Sequence, residues 1–310
     1  MRTSTLIFLA LIFFLLVGGY LFTQRAKEPG VESIFTTIGQ KRWLEADRIK
    51  VFFGEKGFSL VRKQDNWLLE DDFPKPASRV LIQEFLRQLA NLSGEKRAEG
   101  GKFFSRFKVE DKEALHIVLY QGEQELAHIL VGKRGPQWNS SFVRLKGRKE
   151  IYLVPVNLLS KFEIWSVEPG LPKAKDFLDL KVLEVPLAKL KSLSFKGQKI
   201  SWSLLREEDH KPQTFVLKIG SKEKRLSSKE AKKFLRRLFP LYAEKVMKPE
   251  EFKGKRATLS FVSRLGREEK VDFGVCQKEK DQEVCLVKRA PFVYRVNQSL
   301  IEPFFKPAFP

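Results

Sequence analysis

Few residues of this sequence have the types and spacing for chemistry. His116 and His128 flank Gly122. On the two strands of one hairpin they would be near neighbours, and two imidazoles can share a metal ion. A zinc site takes three or four ligands, however. The matching places later in the chain hold Ser260 and Asp272, so the pair reads as polar and outward, and no metal is expected. His210 stands alone in a charged loop and reads as solvated. Gly100-Gly101-Lys102 resembles the end of a phosphate-binding loop, but Lys96 replaces its first glycine and Phe103 its magnesium-binding hydroxyl. No Gly-x-Ser-x-Gly, His-Glu-x-x-His or Cys-x-x-Cys occurs. Glu70-Asp71-Asp72 and Glu207-Glu208-Asp209 are rich in carboxylate, yet both fall in expected loops and nothing selects an acid–base pair. The chain reads as non-enzymatic, without catalytic residue or cofactor.

The densest surface chemistry is cationic. Lys218, Lys222, Lys224, Arg225, Lys229, Lys232, Lys233, Arg236 and Arg237 crowd one stretch against Glu223 and Glu230. A helix that turns Phe234, Leu235 and Leu238 inward leaves Lys229, Lys232, Lys233 and Arg236 outward. In the cytosol such a face would suit nucleic acid. On an exported body, anionic lipid, an anionic wall polymer or an acidic partner fits better, and nucleic acid is not expected. A merely solvated helix face is the plain alternative.

Cys276 and Cys285 fall on two expected strands, 271–276 and 284–287, around a charged turn at 277–282. Nearly equidistant from its centre, they should lie opposite or diagonal across the hairpin. Opposite residues at a non-hydrogen-bonded position have Cα atoms about 4.5 Å apart, and a disulfide accepts roughly 4.4–6.8 Å. An oxidising compartment would let a bridge persist. Two buried thiols packed as small apolar residues are the alternative.

The elements that position these residues begin with an uncharged run, residues 5–22. As a helix rising about 1.5 Å per residue it nearly crosses a hydrocarbon core of roughly 30 Å. Tyr20, Leu21 and Phe22 stand where a signal peptidase needs small residues. The run therefore reads as an uncleaved single-pass anchor. Arg2 lies before it and Arg25 and Lys27 after it, so charge barely sets the orientation. A short tail before a large exported body favours a cytoplasmic N-terminus, an inner-membrane anchor and a periplasmic body.

Over the whole chain, 43% apolar content and 27 phenylalanines provide for packed cores. A net charge of +20 points to a polyanion or an anionic membrane surface, or simply to a charged, solvated exterior. Alternating apolar residues predict hairpins at Ile49, Val51, Phe53, Phe58 and Leu60, with a third strand at Trp67-Leu68-Leu69. Ser78 caps a helix whose Ile82, Phe85, Leu86, Leu89 and Leu92 share one face. A meander follows, ending at Ile151-Tyr152-Leu153-Val154. The plan then recurs. Phe215-Val216-Leu217 answers Trp67-Leu68-Leu69, Phe234–Leu238 answers Phe85–Leu89, and Val293-Tyr294-Arg295-Val296 answers Ile151–Val154. Ser227 and Glu230 form a capping box ahead of the second helix. The expectation is an α+β fold of two tandem copies. Its parts are an anchor at 1–22, a tether at 23–45, a first repeat at 46–180 and a second at 181–310, joined near 176–186.

The hairpin, the Trp-x-Leu strand, Pro74, Leu86-Arg87-Gln88-Leu89, the strand pair around Gly122 and Tyr152-Leu153-Val154 together resemble the bacterial domain-of-unknown-function family 4340 (DUF4340). The resemblance covers about residues 45–205 well and the remainder as a weaker second copy. It implies one N-terminal membrane anchor. It also implies a link to auxiliary subunits of ABC-type transporters of the gliding-motility kind, and so an envelope accessory role. It carries over no catalytic residue. The first reading is thus a non-enzymatic, membrane-anchored helper of a membrane transport assembly, with transporter subunits as partners. The second is a polyanion- or lipid-binding envelope protein using Lys222, Lys224, Arg225, Lys229, Lys232, Lys233 and Arg236. The third is a wall-active enzyme.

Overall fold

A computed structural model describes residues 35–207, 213–279 and 282–310, with Phe13 and Val17 besides. The expected anchor, those two residues apart, lies outside the described residues, as does His210. Among the described residues no helix is long and apolar enough to cross a membrane.

The first half builds β1 (Phe35–Thr37), β2 (Arg48–Phe53), β3 (Lys56–Lys63), β4 (Asn66–Glu70), β5 (Lys75–Ala77), α1 (Arg79–Ala90) and β6 (Ser93–Glu99). The short helical turn α2 (Phe104–Phe107) follows, then β7 (Leu115–Gln121), β8 (Gln124–Arg134), β9 (Ser141–Leu145) and β10 (Glu150–Val154). These ten strands form one sheet in the order β1-β6-β10-β9-β8-β7-β2-β3-β4-β5. In β2, Ile49 and Val51 are buried and Lys50 is exposed, the period-2 pattern of a strand with one covered face. Ser78 caps α1 as expected, and Ile82, Phe85, Leu86 and Leu89 turn into the core beneath it.

The second half opens with β11 (Lys181–Leu183), β12 (Leu190–Gly197), β13 (Ser201–Arg206), β14 (Thr214–Ile219), β15 (Lys222–Ser227) and α3 (Ser228–Leu235). It continues with β16 (Leu241–Tyr242), β17 (Lys245–Met247), β18 (Ala257–Ser263), β19 (Glu268–Glu279), β20 (Gln282–Arg289), β21 (Phe292–Asn297) and α4 (Gln298–Phe305). Nine strands make a sheet in the order β15-β14-β13-β12-β18-β19-β20-β21-β17. Read from its β17 end, this is the order of the first sheet with β1 left out. All described strand pairs are antiparallel, and helices are few. The capping box at Ser227 is formed, with Glu230 Nα–H donating to its hydroxyl and the Glu230 carboxylate accepting in return.

Two large apolar cores follow, one drawn from Ile38 to Phe177 and the other from Val182 to Phe304, with a small third cluster at Val109, Phe142 and Ile151. The stretch expected as a tether is structured from Phe35. β1 pairs with β6, and Trp43 is 1% exposed inside the first core. Its short 3-10 turn has neither helical nor strand periodicity, so the pattern begins in the sequence only later. The polar stretch after α1 is β6, lying between β1 and β10 with only Gly94 buried, so it needs no apolar alternation. Pro74 and Pro76 do not abolish pairing. β5 is an edge strand, where proline's missing N–H is tolerated. The joining segment is stitched to both halves, through a Leu178–Ala77 bridge on one side and the β11–β16 pair on the other.

Candidate functional site

The expected cationic surface is assembled on β15 and α3. β15 is an edge of the second sheet, and lysines on an edge strand also discourage pairing with another chain. Part of its charge is neutralised. Lys224 meets Glu230 at 3.3 Å, Arg225 meets Glu207 at 2.8 Å, and Lys218 meets Glu223 at 2.9 Å. Lys222, Lys229, Lys232, Lys233 and Arg236 are exposed without an ion pair among the described residues.

Cys276 and Cys285 face each other in register on β19 and β20 and are joined in a disulfide, with Cα atoms 3.9 Å apart. The expected turn is shorter than the sequence indicates, because the strands continue to Glu279 and resume at Gln282. A loop this short gives only a modest chain-entropy gain. Reduction, or Cys276→Ala with Cys285→Ala, should lower the stability of the second half by about 2–3 kcal/mol. Denaturant unfolding with and without reductant measures it; an unchanged midpoint contradicts it.

His116 and His128 do come together, with His116 Nδ1 2.8 Å from His128 Nε2. They are not outward in the solvated sense, being 6% and 8% exposed. Their face of the first sheet is covered by the segment from Gly100 to Ala114, a non-local lid that strand alternation cannot announce. The hydrogen bonds fix the tautomers. The Asp111 carbonyl can only accept, so His116 Nε2–H donates to it at 2.7 Å. Nδ1 of His116 is then bare and accepts from His128 Nε2–H. Burial pushes both imidazoles below their ordinary value. His128 falls to about 4, with the neighbouring His116 and Lys146 adding to the effect. The ring of Phe52 stacks on His116, centroids 4.4 Å apart. Among the described residues no three His, Cys, Asp or Glu side chains converge as metal ligands.

Arg144 pins this lid. It is 5% exposed. Its Nε donates to the Val109 carbonyl at 3.0 Å, Nη1 to the Arg148 carbonyl at 3.3 Å and Nη2 to Asp111 Oδ1 at 2.7 Å. Its guanidinium lies 4.1 Å from the centre of the Phe104 ring. Gly132 makes the close approach possible, since a Cβ there would stand 2.2 Å from the Phe107 carbonyl oxygen. Gly100-Gly101-Lys102 leads into α2 at the start of the lid and is no phosphate loop.

An open groove of about 570 Å³ runs beside the lid, lined by Phe103, Phe107 and Phe142 together with Arg97, Arg106, Lys133 and Arg134. Sequence reasoning did not single it out. Its one local signal is Phe103-Phe104-x-x-Phe107 interleaved with Lys102, Arg106 and Lys108; the other walls come from distant strands. The acidic clusters make no such site. Asp71 and Asp72 both hold the Lys75 ammonium, and Glu70 pairs with Lys63. Glu207 accepts from Thr214 Oγ1, while Glu208 and Asp209 lie outside the described residues.

No curated protein and no solved structure matches the chain. The model of a domain of unknown function, DUF4340, matches residues 67–258, from β4 into β18. That is more than half of the 310 residues, and the chain belongs to the DUF4340 family.

Proposed function

We propose that this protein is a non-enzymatic accessory module of the cell envelope, anchored in the inner membrane by residues 5–22, with its two-sheet body outside the cytoplasm. It serves a larger membrane assembly, of which an ABC-type transporter is the chosen example. The observation that carries the reading is the Cys276–Cys285 bridge, because disulfides persist in oxidising compartments and are rare in the cytosol. The uncharged run at the start supplies the attachment. Crosslinking in intact cells should capture integral membrane subunits, and mass spectrometry of the membrane fraction should find peptides from the first residues. A mature chain beginning beyond residue 22 overturns the anchor, and capture of soluble cytoplasmic proteins alone overturns the placement.

A second reading has its own support in Lys222, Lys229, Lys232, Lys233 and Arg236, exposed cations without an ion pair among the described residues. They offer a polyanion such as a wall polymer a surface beyond the partner assembly. Retention on an anionic polymer that weakens steeply with salt, and that is lost on charge reversal at Lys232 and Lys233, supports it. Salt-independent retention refutes it.

A further inference from the structure

We propose that the groove beside Phe103 and Phe107 is a docking site for anionic phospholipid headgroups, and that it lays the first sheet against the bilayer. Charge comes first. Arg97, Arg106, Lys133 and Arg134 line the groove, and among the described residues no carboxylate does. Arg97 is partnered by Glu95 at 2.8 Å; Arg106, Lys133 and Arg134 have no carboxylate partner among the described residues. Cations close to an anionic leaflet each favour the bound state.

The second observation is aromatic. Three of the chain's five tryptophans, Trp43, Trp67 and Trp202, are buried; Trp138 and Trp165 are 59% and 61% exposed. Arg134, a residue of the groove wall, touches both exposed residues, Trp138 through its ring and Trp165 through its backbone carbonyl. Arg134 lies 4.1 Å from the centre of the Trp138 ring, and its Nη1 reaches the Trp165 carbonyl at 3.5 Å. Its backbone N–H donates to Val167, itself exposed and lining the groove. Exposed tryptophans beside arginine and lysine are the composition of a surface that sits at the headgroup level, apolar body towards the acyl chains and polar edge in water. A soluble phosphate would use the cations and leave the two tryptophans without a role.

The third observation is position. β1 pairs with β6 antiparallel, Phe35 opposite Glu95. The chain therefore enters the sheet at the Arg97 end of β6, the strand that contributes Arg97 and Ala98 to the groove. This part rests on the anchored reading; the charge and the tryptophans do not.

The test uses the full chain reconstituted into phosphatidylcholine bilayers with and without phosphatidylglycerol, with bromine on the acyl carbons nearest the headgroup. Bromine should quench tryptophan emission in the anionic bilayer, and the loss should vanish in Trp138→Phe with Trp165→Phe. The buried tryptophans give a constant background. Arg106→Gln with Lys133→Gln, both partly or fully solvent-facing, should lower the docked-to-undocked ratio roughly 30-fold with an unchanged near-ultraviolet circular dichroism spectrum. Equal emission in brominated and plain anionic bilayers overturns the proposal. So does undiminished quenching in the Arg106 and Lys133 variant, or uptake of glycerol phosphate or an acidic peptide with the tryptophans unquenched. Alkaline carbonate extraction is read apart from these. Release of the chain overturns the anchored reading alone, and quenching by added anionic vesicles then still decides the groove.

Discussion

Arg144→Ala should destabilise the first half by about 3 kcal/mol. The guanidinium donates to two backbone carbonyls and one carboxylate. A hydrogen bond to a charged group is worth roughly 1.5–3 kcal/mol net, and most of the loss falls on the buried Val109 carbonyl, because Arg148 and the Asp111 side chain are exposed. Val109 is fully buried, so its carbonyl loses its donor away from bulk water. The stacking on Phe104 goes as well. Arg144→Lys should recover little, since one ammonium cannot reproduce a planar fork of donors. Denaturant unfolding gives the energy. Hydrogen exchange should show the loss starting in residues 100–114 and leave β12–β15 protected. A loss below about 0.5 kcal/mol, the range of an ordinary surface substitution, would show that Arg144 does not hold the lid.

Acid should weaken the same half through the histidine pair. The free imidazole has an ordinary value of 6.5, and His128 in the fold lies at about 4. Between those values the unfolded chain takes up a proton that the folded ring refuses, so stability rises with pH across this window and falls as pH drops from 6.5 to 4. Above 6.5 the contribution is fully present; below about 4 this group gives no further loss. The whole step is on the order of 3 kcal/mol. His116 shifts in the same direction and adds to it. His128→Gln places an amide N–H where Nε2–H stood, so it can still donate to His116 while carrying no titrating ring. Its unfolding midpoint should vary less between pH 7 and pH 4 than that of the unaltered chain. Parallel pH profiles for the two would sink the assignment.

What the sequence disclosed depended on how local each signal was. α1 was legible because Ser78 and the spacing of Ile82, Phe85, Leu86 and Leu89 are set within one helix. The cysteine pairing was legible because a short hairpin leaves few registers. β6 was not, since a polar strand between two neighbours has no apolar face to display. Trp43 hid in a 3-10 turn for the same want of periodicity. His116 and His128 were correctly brought together and wrongly given to solvent, because their burial comes from a lid pinned by Arg144 and admitted by Gly132. The cationic face of β15 and α3 was readable from consecutive residues. The groove was not, for Arg97, Phe107, Arg134, Phe142 and Val167 meet only when β6, α2, β8, β9 and the segment after β10 are in place.

The shared strand order has a kinetic consequence. In each sheet a meander made early, β2–β5 or β12–β15, joins a later one, β7–β10 or β18–β21, through a single central pairing. That pairing sets Val51 opposite Ile117 and Phe195 opposite Leu259. A growing chain can close its first hairpins at once, but the inner edge of β2 has no partner until β7 exists, and β12 must wait likewise for β18. Contacts so distant in sequence slow folding, and an unpaired apolar strand edge invites other chains. The chain therefore passes twice through the same vulnerable half-sheet. The first sheet can be complete before the second has its central partner, so the two risks fall one after the other.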